Sequence, residues 1–167
     1  MANTVELHAV DVVKADLKGI GVALKLPDSS QRKPDAENEI IRFFGKLGVI
    51  EAAGGVEFGI CAYEHRDFSV EGLEQHRRSG ELLYAIDDDF LMPVAPNLPS
   101  VNQPDLSKAF AIRVRRSEGV IFAPGAWHWV PYPIRKGKSF ALVGFAIDTP
   151  KNDMFTQSLN PPLKMRA

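Results

Sequence analysis

Two short segments hold the residues best equipped for chemistry. The first, LEQHRRSGELLY over 73–84, sets Glu74 and His76 two apart, with Glu81 following after Arg77 to Gly80. On a strand, residues i and i+2 point to the same face. If 73–76 and 81–86 are consecutive strands, Glu74, His76 and Glu81 converge on one interior. The second segment is GVIFAPGAWHWVPYPI over 119–134. Its apolar run Gly119 to Ala123 reads as a buried strand, Pro124-Gly125 as a turn, and His128 as the start of the next strand. From a facing strand His128 would complete the cluster. Two imidazoles and two carboxylates are ligand types for one divalent ion such as Zn, Mn, Fe or Ni. The same groups can act as acid and base without a metal. Histidine beside carboxylates keeps its proton to higher pH, and a desolvated carboxylate is a stronger base. The competing structural reading has His128 packed between Trp127 and Trp129, with Glu74 and Glu81 as surface residues neutralised by Arg77 and Arg78.

Positioning such a cluster requires strands, and the sequence supplies many. Residues 5–10, 21–26, 56–63, 81–86, 90–95, 109–114, 119–123, 127–130 and 139–147 read as short strands between turn signals. Segment 68–76 mixes strand character with polar residues, and 40–50 is ambiguous between helix and strand. A short turn, helical or not, is expected around Val12 to Leu17. The polar 27–38 and the Pro- and Asn-rich 96–107 read as exposed loops. Asp87-Asp88-Asp89 is expected to be a solvated hairpin tip, and the tail from Thr149 onward to be irregular. Recurrent short strands with little helix predict an all-β sandwich or barrel. Adjacent strand residues face opposite ways, so Trp127 and Trp129 cannot both line a cavity with His128 unless a bulge intervenes.

Composition narrows the function classes. The 167 residues fit one domain, 1–167, with 20 basic and 21 acidic residues and a net charge of −1. That balance gives no field favouring nucleic acid or an anionic membrane. Runs such as Arg113 to Arg116 and Arg135 to Lys138 are read first as solvated strand edges, second as carboxylate or phosphate clamps. The single cysteine, Cys61, excludes an internal disulfide and is expected to be a buried, inert thiol. No apolar stretch reaches the roughly 18 residues of a spanning helix. MANTVELHAVDVV does not read as a signal peptide, so a cytoplasmic protein is expected.

The two segments resemble the paired motifs of the cupin superfamily. Glu74-x-His76-x4-Glu81 is similar to its first motif with Glu in place of one His. Gly119-x4-Pro124-Gly125-x2-His128 is similar to the second with a contracted Pro-Gly. Over most of its length the chain resembles the bacterial ureidoglycolate lyase family, in Leu73-Glu74-Gln75-His76-Arg77 with Glu81, in Pro104-Asp105, Ala109-Phe110 and Gly119, and in Trp127-His128-Trp129. The opening VELHAVDVVKADLKGIGVALKLP is also similar to that family's start, and Arg42 matches an arginine beginning a strand there. The chain departs from the family pattern at Gln75, Glu81 and Trp129, and its Asp35 to Asn38 replaces an Asn-Asn-Gly.

The resemblance implies a cupin-type double-stranded β-helix (jelly-roll barrel) and a homodimer. It implies cleavage of ureidoglycolate to glyoxylate and urea, within purine and allantoin nitrogen catabolism. Glu74, His76 and His128 are the expected catalytic groups, with Glu74, His76, Glu81 and His128 as candidate ligands of one divalent metal. Arg42, Tyr84, Arg113 and Trp127 are the expected substrate-binding residues for a small carboxylate. The alternative is a cupin without this activity that binds another small metabolite or a metal. His8 and His65 are expected to lie outside the site.

Overall fold

The computed structural model describes residues 5–28 and 30–167. The reading of residues 1–4, and Ser29 within the expected loop 27–38, lie outside them. The strands are β1 (Glu6–Asp11), β2 (Gly21–Leu24), β3 (Ala36–Glu37), β4 (Arg42–Phe43), β5 (Val56–Glu64), β6 (Ser69–Gln75), β7 (Glu81–Ala85) and β8 (Phe90–Ala95). They continue with β9 (Asn97–Leu98), β10 (Gln103–Pro104), β11 (Phe110–Val114), β12 (Gly119–Phe122), β13 (Trp127–His128), β14 (Tyr132–Pro133), β15 (Lys138–Ala146) and β16 (Phe155–Arg166). One short helix, α1 (Thr149–Asn152), precedes β16.

Two sheets carry the molecule. One runs β11-β1-β16-β6-β13-β8-β14, and β8 also pairs with β11, so the pairings return on themselves. The other runs β2-β12-β7-β15-β5 and is antiparallel throughout. The chain alternates between them: β6 to β7 to β8, β11 to β12 to β13, and β15 to β16. This back-and-forth is the jelly-roll, or double-stranded β-helix, arrangement, so the all-β expectation holds.

Strand periodicity explains the core. Leu83 and Ala85 of β7, Val120 and Phe122 of β12, and Ala141 of β15 meet Phe90, Met92 and Val94 of β8 and Ile112 and Val114 of β11. The opposite faces of β8 and β11 turn Leu91, Ala95 and Ala111 into a second cluster with Trp127, Val70, Leu73, Leu7 and Met165. β8 is therefore apolar at every position and buried at every position.

Three expectations are corrected. The tail is not irregular: β16 is a twelve-residue strand paired with β6 and β1. Its two prolines sit at a register shift, where missing N–H groups are tolerated. Cys61 is exposed, because β5 is an edge strand. The aspartates at 87–89 are not a solvated hairpin tip, because β7 and β8 belong to different sheets. Asp87, Asp88 and Asp89 accept the backbone N–H groups of Phe140, Arg135 and Arg116 respectively. The turn expected around Val12 to Leu17 is present, closed by the Lys14 and Ala15 N–H groups on the Asp11 carbonyl. Both expected loops lie outside the two main sheets, each adding a two-stranded ribbon, β3–β4 or β9–β10.

Candidate functional site

β6 and β7 are joined by the turn 77–80, and the inward faces of both strands end at that turn. His128 is directly opposite Glu74 across the β13–β6 pair, which puts both side chains on one face. Glu81 shares the inward face of β7 with Leu83 and Ala85. The three elements thus bring Glu74, His76, Glu81 and His128 together. Ligand atoms of Glu74, His76 and His128 lie within 4.8 Å of one another. Glu81 Oε2 is 3.2 Å from His76 Nε2 and 2.8 Å from His128 Nε2.

The outer nitrogens of both imidazoles are committed to main chain. His76 Nδ1 donates to the Asp153 carbonyl at 3.0 Å, and His128 Nδ1 to that of Ala126 at 3.1 Å. A carbonyl only accepts, so each Nδ1 carries a proton. Each Nε2 then faces a carboxylate oxygen that also only accepts. The contact is favourable when Nε2 is protonated or when a cation lies between the groups. Donors bound to one ion about 2.1 Å away are themselves roughly 3 Å apart; Glu81 Oε2 stands at that spacing from each Nε2, and Glu74 lies within 4.8 Å of both rings. The donor set fits a divalent metal.

Burial and charge tune the cluster. Desolvation works against the His76 imidazolium, but its hydrogen bond to Glu81 and that residue's charge outweigh it and raise the pKa. Burial alone would raise Glu81, yet hydrogen bonds from His128 and His76 hold it down at about 2. Glu74 moves up, mainly through desolvation, with the neighbouring histidines opposing. Phe122 stacks on His128 at 4.3 Å with planes 6° apart, which fixes the ring.

The four expected substrate-binding residues do not join the cluster. Tyr84 lies between Leu83 and Ala85, both inward, so it faces out. Arg113 lies between Ile112 and Val114, both inward, and its Nη2 is 2.8 Å from Asp89. Trp127 precedes His128 and points into the second cluster, where its Nε1 donates to Asn97. Arg42 is on the β3–β4 ribbon with its side chain 70% exposed, beside Glu37. Strand alternation excludes the first three, and it was readable in the sequence once the inward set was known. Among the described residues Glu81 forms ion pairs with histidine alone. His65 bonds the Pro133 carbonyl and His8 is exposed, so both lie outside as expected.

Two neighbours of the cluster were not anticipated. Tyr63, on β5, packs edge-on to Phe90, and burial followed by the nearby Cys61, Glu81 and Glu74 keeps its phenol protonated. Asp153 holds His76 from a tail read as irregular. An apolar run around Tyr63 carried no signal for the first, and only the β16–β6 register reveals the second.

Fold and site together define a small cupin-type barrel with a histidine–carboxylate centre. The family model for ureidoglycolate lyase matches residues 19–166, and the chain belongs to that family. No curated protein matches the chain in sequence. Among solved structures, Bacillus subtilis oxalate decarboxylase is similar at 17% identity and TM-score 0.42, covering 63% of this chain and 24% of that one. The Lactobacillus farciminis oxalate decarboxylase–formate complex is similar at 18% identity and TM-score 0.41, covering 63% and 27%. The chain therefore spans about a quarter of the length of those proteins.

Proposed function

We propose that the protein is a ureidoglycolate lyase that splits ureidoglycolate into glyoxylate and urea in the breakdown of purine nitrogen. Family membership supports the reaction. The observation that carries the site is the convergence of two Nε2 atoms on one carboxylate oxygen while both Nδ1 atoms are tied to carbonyls. His76 and His128, with a carboxylate from Glu81 or Glu74, would hold a divalent cation. When bound it would supply positive charge to the substrate's carboxylate and hydroxyl oxygens.

The remaining carboxylate is the base, and Glu74 suits it because burial raises its pKa. Glu74 takes the proton from the carbinol hydroxyl, the carbonyl of glyoxylate forms, and the C–N bond breaks. The electron pair of that bond leaves with the urea nitrogen, which takes up the proton that Glu74 removed. Glu74 ends deprotonated, so the protein ends as it began. Phe122 and the surrounding core exclude bulk water from the imidazoles.

We further infer a homodimer in the cytoplasm. β5 is an edge strand bonded among the described residues only to β15. Phe58 is 60% and Ile60 59% exposed on it, beside the exposed Phe140 of β15. An open edge with an uncharged apolar face suits a second copy of the same chain. Among the described residues no helix is long and apolar enough to cross a membrane.

The deciding experiment incubates chelated protein, and protein reloaded with Zn, Mn, Fe or Ni, with ureidoglycolate. Urea and glyoxylate should appear in equal amounts with at least one ion and vanish on chelation. Absence of both products with every ion overturns the lyase reading. Retention of a metal or small acid would then identify a binding module.

A further inference from the structure

Asp153 is 2% exposed and makes three hydrogen bonds to three consecutive residues. Its carbonyl accepts from His76 Nδ1 at 3.0 Å, its Oδ1 from the Arg77 N–H at 3.1 Å, and its Oδ2 from the Arg78 N–H at 2.8 Å. The sheet register makes this possible. Phe155 of β16 pairs with Gln75 of β6, so continuing the antiparallel register sets residue 153 opposite residue 77. The main chain is held there because the Asp153 N–H closes α1 on the Thr149 carbonyl at 3.0 Å.

The turn it grips, 77–80, joins the strand of Glu74 to Glu81. The adjacent N–H groups of Arg77 and Arg78 at this turn have no strand partner and need two acceptors. A carboxylate offers two oxygens and no donor, whereas an amide would turn an N–H against one of them. The Arg78 Nε, 3.5 Å away, balances the buried charge. Ser79 secures the far side, accepting from the Ala146 N–H at 2.9 Å. Asp153, Arg78 and Ser79 line a neighbouring pocket with Ala146 and Thr149, and of the four cluster residues Asp153 bonds His76, so it acts through that ring.

We propose that Asp153 is the positioning residue of the centre: its carboxylate clamps the β6–β7 turn, and its carbonyl fixes the His76 ring with Nε2 toward Glu81 and His128. The inference rests on the reading of His76 as a ligand or acid–base group. Groups that orient a metal-binding histidine in this way typically change metal affinity 10–100-fold when removed.

The test compares wild type, Asp153→Ala and Asp153→Asn by imidazole ¹⁵N NMR without metal and by titration with Zn, Ni and Mn ions. In wild type His76 should show a bound Nδ1–H. In Asp153→Ala that signal should broaden or shift toward a mixture of tautomers while the His128 signals hold, and ion affinity should fall about 10–100-fold. Asp153→Asn, which keeps one acceptor oxygen, should fall between. If Asp153→Ala does not fold, Asp153→Asn decides on the same signals. Wild-type His76 signals and affinity in a folded variant would overturn the proposal. Wild type that takes up none of the three ions would count against the metal reading, and the metal-free NMR would still judge Asp153.

Discussion

At the residue scale the centre works through shared contacts, so its members should not contribute independently. His76→Ala and His128→Ala are each expected to abolish measurable turnover in folded protein. The double variant should be scarcely worse than either single, a non-additivity read from kcat/KM across the cycle. Arg42→Ala should leave KM within about twofold, since uniform binding of the carboxylate does not come from an arginine held outside the cluster. The pH dependence of metal-free stability follows from the shifts. His76, raised above its ordinary value, contributes stability that is complete below about 6.5 and lost as pH rises through the folded pKa. Glu81, lowered to about 2, contributes stability present above its ordinary 4.5 and lost as pH falls toward 2. Glu74 acts in the same direction as His76, its raised pKa adding a cost as it ionises. Thermal melts should therefore peak between about pH 4.5 and 6.5, and a divalent ion should restore stability on the alkaline side by replacing the protons. A metal-free melting temperature that climbs steadily through pH 8 would contradict this.

At the element scale the site depends on how closely β12 approaches β7. A Cβ added at Gly119 would lie 2.7 Å from the Leu83 carbonyl oxygen and 3.0 Å from the Tyr84 ring. Both strands are held in the sheet, so neither can yield cheaply. Gly119→Ala should cost about 2 kcal/mol of unfolding free energy, measured by denaturant titration. The turn that follows has its own requirement, since Gly125 sits at φ +82°. Its N–H donates to the His76 carbonyl at 2.6 Å, which links the two halves of the motif. Gly125→Ala should cost about 1–2 kcal/mol for backbone strain, with His128 displaced along with the turn.

At the scale of the whole molecule, the exposed apolar edge predicts self-association. Light scattering should give about twice the 18.4 kDa chain mass, and Ile60→Lys should shift the protein toward monomer while leaving the melting curve of the monomer cooperative. A wild-type mass of one chain at micromolar concentration would remove the dimer. A near-neutral chain does not repel its copies strongly, so the mass should respond little to salt.

The sequence by itself determined the all-β class and most of the longer strands from 56 to 147, and it pointed to the convergence of Glu74, His76, Glu81 and His128; the short β9, β10 and β14 were not legible. Period-two alternation and the Pro124-Gly125 turn are local signals, and two-apart spacing on one strand fixes a shared face. Which face of β7, β11 and β13 turned inward was settled only by packing. Leu83, Ile112 and Val114 occupy the space between the sheets, which sent Tyr84 and Arg113 outward and Trp127 into the second cluster. The role of Asp153 was beyond sequence reading for the same reason. Its partners are 75 to 77 residues away, and only the pairing of β16 with β6 brings them together.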